Sequence, residues 1–133
     1  MKLAVEPVKV GILIDYIEGD GGSDSMLEDF VLAAYRLAED ELREAGKLDR
    51  EVEYVVEAVQ GLPLGSFKAV RDAYYRLVEA GCVVIFGPWI SENGGPLGEY
   101  VNDMGEVPIL TVCGTESMLG EYVFGLPAGS MEE

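Results

Sequence analysis

Val8-Lys9-Val10-Gly11-Ile12-Leu13-Ile14-Asp15 is apolar at nearly every position and rich in β-branched residues. A strand with one wet face alternates apolar and polar residues. This one does not, so it belongs to a sheet covered on both faces. Sheets of that kind are parallel, because the crossovers that parallel pairing requires lay helices over them.

The flanking sequence supplies the crossovers. After a glycine-rich loop, Ser23 or Asp24 can cap a long helix. Its apolar residues Leu27, Phe30, Val31, Ala34, Leu37, Ala38 and Leu42 recur at helical spacing, the stripe expected to pack on a core, and Gly46 stops it. Val52 to Val59 alternates only in part and reads as a strand nearer a sheet edge. Gly61 to Gly65 breaks the chain, and Ser66 caps a second helix with Phe67, Val70, Tyr74, Leu77 and Val78 inward and Gly81 at its end. Cys82-Val83-Val84-Ile85-Phe86 is the most central-looking strand and leads into Gly87-Pro88. Pro96 is expected to open a short third helix, Leu97 to Met104, closed by Gly105. Val107 to Val112 reads as a fourth strand, with Pro108 tolerable only near its start, and Tyr122 to Leu126 as a short fifth.

Strand and helix thus alternate three times. The expected fold is a single α/β domain over residues 1–133, a doubly wound three-layer sandwich with a mainly parallel sheet of four to five strands. Ser130-Met131-Glu132-Glu133 has the S-x-x-E form that opens a helix, yet the sequence stops there, which reads as truncation at the C-terminus.

Composition narrows the chemistry. The formal charge of −16 repels phosphate backbones and anionic lipid, so neither nucleic acid nor a membrane surface is an expected partner. No apolar run is long enough to span a bilayer. Residues 1–7 are too short for a signal-peptide core, which leaves a protein kept inside the cell or one whose signal has been removed. There is no histidine, hence no Ser-His-Asp or Cys-His arrangement and almost no ligand for zinc. No catalytic residue, metal or cofactor is expected, and the chain reads as a binding module rather than an enzyme.

In an open parallel α/β sheet, ligands sit beyond the carboxyl ends of the strands, where helix N-termini present unpaired N–H groups. The first loop has Gly19 and Gly21, but Asp24 stands where a dinucleotide loop needs its third glycine, and no Walker lysine follows. A phospho-acceptor receiver domain would need an aspartate after strand three, where Gly87 and Pro88 stand. The turn after strand three offers the Ser91 hydroxyl and Trp89, which can wall a ligand or simply pack. The turn after strand four offers Cys113, Gly114 and Thr115. Amides near Gly114 and Thr115, with the Ser91 and Thr115 hydroxyls, suit a carboxylate, although serine and threonine equally cap turns. Cys113 has no histidine to activate it, and Cys82 lies at the other end of the sheet, so both cysteines are expected to be free and partly buried.

These segments together resemble the type I periplasmic binding proteins, in particular the branched-chain amino-acid (leucine/isoleucine/valine) branch. The likeness is carried by Val10-Gly11-Ile12-Leu13, Glu44-Ala45-Gly46, Phe86-Gly87-Pro88, Val107-Pro108-Ile109, Thr115 and Gly129-Ser130. It implies the N-terminal lobe of a two-lobed protein that closes around an amino acid or similar polar solute and delivers it to an ABC permease outside the cytoplasm. A lobe of an amide or amino-acid regulator or receptor is the alternative, and a flavodoxin-like nucleotide-binding enzyme domain a second. By resemblance the solute's charged groups fall to Ser91, Cys113, Gly114 and Thr115, with Trp89 near its side chain and Tyr16 in the first loop. Tyr16-Ile17-Glu18-Gly19 departs from the family's Gly-Pro-x-[ST]-G loop, which leaves the solute open among amino acids, amides and urea-like molecules. The missing half of the cleft implies a second lobe or a homodimer partner.

Overall fold

The strand apolar on both sides is buried on both sides. In the computed structural model, which describes residues 6–16 and 25–126, β1 (Val8–Ile14) pairs in parallel with β2 (Val52–Ala58) on one flank and β3 (Val84–Phe86) on the other. β4 (Ile109–Thr111) and β5 (Val123–Gly125) complete one five-stranded, all-parallel sheet in the order β2-β1-β3-β4-β5. β2 is an edge and β3 the central strand, as the partial alternation of one and the apolar run of the other require.

Alternate residues of β1 point to opposite faces. Ile12 and Ile14 meet Val31, Leu32 and Tyr35 of α1 (Ser25–Glu44). Leu13 points the other way, with Ile85, Ile109 and Val123, into a larger core under α2 (Phe67–Glu79) and α3 (Ser91–Met104). Helices therefore cover both faces, and the fold is a three-layer α/β sandwich. Each fully buried aliphatic side chain here contributes about 1.5–3 kcal/mol relative to exposure. Ser66 caps α2 as its sequence position requires, its Oγ accepting from the Ala69 N–H at 3.2 Å. Tyr74 is fully buried in the larger core, and its hydroxyl donates to the Val107 carbonyl at 2.8 Å. Among the described residues, no helix is long and apolar enough to cross a membrane.

Two expectations are corrected. The third helix does not start at Pro96 but at Ser91, with Pro96 inside it. Ser91-Glu92-Asn93-Gly94-Gly95 carries weak helix formers, so local propensity hides the first turns. Their stability is tertiary: a carboxylate from β1 caps the helix, and Gly98 allows close packing. A Cβ on Gly98 would lie 2.5 Å from Met118 Cβ in the short 3-10 turn Glu116–Met118.

The α1 stripe is also only half used. Val31 is buried, but Phe30 is 74% exposed and Leu37 62%. A single helix about 10 Å across covers roughly two strands spaced about 4.8 Å apart, so the rest of a wide stripe finds no floor. The Ser23 or Asp24 cap, the Leu27 side chain, the glycine loop and the Ser130 motif lie outside the described residues.

Candidate functional site

The carboxyl ends of β1, β3 and β4 converge on a buried polar network anchored by Asp15. This residue follows β1 directly and is fully buried. Its carboxylate accepts from the Trp89 N–H at 2.9 Å, the Ile90 N–H at 3.1 Å and Asn93 Nδ2 at 2.8 Å. The first two are donors left over at the start of α3, whose own N-cap residue, Ile90, makes no side-chain cap bond. Asp15 is thus a cap supplied by a distant strand, and its negative charge lies against the positive end of the helix dipole.

Asn93 relays the network. It is fully buried, its Oδ1 accepts from the Leu62 N–H at 2.9 Å, and its Nδ2 also donates to the Leu62 carbonyl at 3.2 Å. The turn after β2 is tied in this way to the ends of β1 and β3. Sequence reasoning missed both Asp15 and Asn93 as site residues. The available signal was an acid ending an otherwise apolar buried strand, which calls for a partner.

The turn after β3 is set by Gly87. Its φ is +123°, and a Cβ there would stand 2.2 Å from the Leu13 carbonyl oxygen. The Leu62–Pro63 and Gly87–Pro88 peptides, each in a turn bordering the site, are both cis. Pro88 O accepts from Thr111 Oγ1 at 2.7 Å and from Cys113 Sγ at 3.2 Å, and Thr111 Oγ1 accepts in turn from the Cys113 N–H at 3.1 Å. These bonds lash the β4 turn to the β3 turn.

Above this lies the rim. Ser91 Oγ accepts from the Gly114 N–H at 3.2 Å, joining two of the expected ligand-binding positions across 23 residues of chain. Ser91 and Gly114 are exposed, Thr115 is half-buried, and Cys113 lies just beneath them, buried. Trp89 packs beside the Ile12, Ile14 and Val31 cluster on the α1 side. Tyr16 stands at the end of β1, 37% exposed. The structure brings Ser91, Cys113 and Gly114 together, with Thr115 next in the chain.

Cys82 and Cys113 are both free and buried. Burial pushes the Cys113 thiol up from its ordinary value and Asp15 adds to this, while hydrogen bonds with Thr111 and Ser91 pull it down. A thiol is neutral when protonated. Its raised folded value therefore contributes stability that is complete below the ordinary thiol pKa and is lost as pH rises through the folded value. Iodoacetamide at pH 8 is expected to alkylate Cys113 roughly tenfold or more slower in the native protein than in the urea-unfolded chain. Mass-spectrometric rates that are equal in the two states would refute this. Among the described residues, no group of three or more potential ligands is placed to hold a metal ion.

No protein-family model, no curated protein and no solved structure matches this chain.

Proposed function

We propose that this chain is a solute-binding lobe, the part of an ABC transporter's extracytoplasmic binding component that takes an amino acid or related small polar solute against a second lobe. The observation that carries the reading is the hydrogen bond between Ser91 Oγ and the Gly114 N–H. It uses a lone pair of the hydroxyl and leaves its O–H as a donor at an exposed rim, beside the Thr115 hydroxyl and backbone amide. That is a compact set of neutral donors suited to a carboxylate, and closure of a second lobe would desolvate and strengthen its bonds.

The strand order favours one other reading. β2-β1-β3-β4-β5 is also the order of flavodoxin-like domains, which bind nucleotides at the β1/β3 switch point. Here Asp15 lies at that point, its carboxylate already occupying the α3 amides that a phosphate would use. An absorbance spectrum of the purified protein with bound flavin or nucleotide would favour the enzyme reading over the solute-binding one.

The test is an NMR titration with leucine, glutamine, acetamide and urea. With half a cleft, the dissociation constant is expected near 1 mM, about −4 kcal/mol. Amide shifts should be confined to Ser91, Gly114, Thr115 and their neighbours, and Ser91→Ala should remove most of the response. Unmoved rim amides at tens of millimolar of every solute, on the order of −2.5 kcal/mol or weaker, would sink the proposal. Micromolar binding would show that the half-site is already complete.

A further inference from the structure

One half of one sheet face is uncovered. Strand alternation puts Ile12, Phe86, Leu110 and Phe124 on the α1 side, and the register aligns them in a row across β1, β3, β4 and β5. Burial falls along the row from fully buried Ile12, under α1, to Phe124, which is 53% exposed.

The placement of α1 explains the gradient. The Tyr35 ring lies 4.9 Å from that of Phe86 and 6.1 Å from that of Tyr54, so this point of the helix faces the sheet between β3 and β2. Arg36 and Asp40 line a groove with β2 residues on one flank. At about 100° per residue, Ala34, Leu37 and Phe30 fall on the opposite flank, toward β3. Phe30 and Leu37 are the exposed apolar residues of that flank. Helix flank and bare sheet face together form an apolar trough of about one helix width.

Charge selects what fits it. Every Lys and Arg of the chain lies at or before Arg76, whereas nine acids follow it. The half of the molecule that carries β3, β4 and β5 therefore has acids and no base, and Glu41 lies on the trough flank of α1. A second copy would bring like charges together. Residues 127–133 carry two acids and no base, so they are no better match.

We propose that this trough is the docking site for a basic amphipathic helix of a partner protein. The partner's apolar stripe packs on Phe86, Leu110 and Phe124 beside Leu37, and its lysines and arginines meet the acidic rim. The surface lies on the sheet face and is independent of the solute rim.

The probe is a helical peptide of about 18 residues, leucine along one face and lysine along the other, tested against the 133-residue protein by fluorescence anisotropy. A control peptide replaces each lysine by glutamate. The expected result is micromolar binding of the basic peptide at low salt, at least about tenfold weaker in about 0.5 M salt and for the acidic control. Phe124→Ser and Leu37→Ser together should weaken it about tenfold further with an unchanged circular-dichroism spectrum. Leu64→Ser, at a 79% exposed leucine on another surface, should leave it alone. Equal affinity for the two peptides, or indifference to the Phe124 and Leu37 changes, overturns the proposal. A dimer in light scattering that those changes dissolve also overturns it, in favour of a second copy in the trough.

Discussion

Replacing Asp15 by alanine is expected to lower stability by about 3–5 kcal/mol, the largest effect of any single side chain near the site. The substitution leaves the Trp89 and Ile90 N–H groups and Asn93 Nδ2 without their acceptor. A buried donor with no partner costs about 1–3 kcal/mol, more where the lost acceptor was charged. Domains have about 5–15 kcal/mol in total, so a large part of the margin would go. Asp15→Asn keeps the volume and one acceptor but turns an NH2 group toward donors, so its loss should be smaller. Urea denaturation measures both, and amide exchange should show the first turn of α3 opening before the core. A change within about 0.5 kcal/mol for Asp15→Ala would mean that the α3 terminus is held by something else.

Gly87→Ala is the second large effect, expected at about 3–5 kcal/mol. Two independent penalties act at this position. Its φ of +123° is one that L side chains rarely adopt, which alone costs about 1–3 kcal/mol. The added Cβ would also stand 2.2 Å from a backbone oxygen of β1, which cannot rotate away as a side chain would. The turn must then move, and with it Pro88 O, the shared acceptor of Thr111 and Cys113. The denaturation midpoint should fall and the Cys113 thiol should become easier to alkylate. Loss of stability without a change at Cys113 would show that the β3 and β4 turns are not coupled through Pro88.

Much of the scaffold was legible because it rests on local rules. The doubly apolar β1, the Ser66 cap and the glycines ending each helix are each written in a few adjacent residues, and each is found where expected. The start of α3 was not legible, because the group that stabilises it lies 74 and 75 residues earlier in the chain. The unused α1 stripe failed for a related reason. Periodicity reports how wide an apolar face is, not how much floor the sheet offers beneath it. At the rim, residue types marked Ser91, Gly114 and Thr115 as polar turn residues beyond strand ends. That Ser91 and Gly114 touch depends on how β3 and β4 pair.

Taken alone, the sequence determined a soluble-type, acidic α/β chain with parallel strands, the order in which its elements follow one another, and the end of the sheet where a site can form. Hydrophobic period, capping and turn chemistry act over a few residues and can be read directly. The tertiary structure decided which strands are neighbours, that Asp15 closes the end of α3, and that half a sheet face beside α1 stays bare. Those depend on contacts between segments tens of residues apart, whose energies no local pattern encodes.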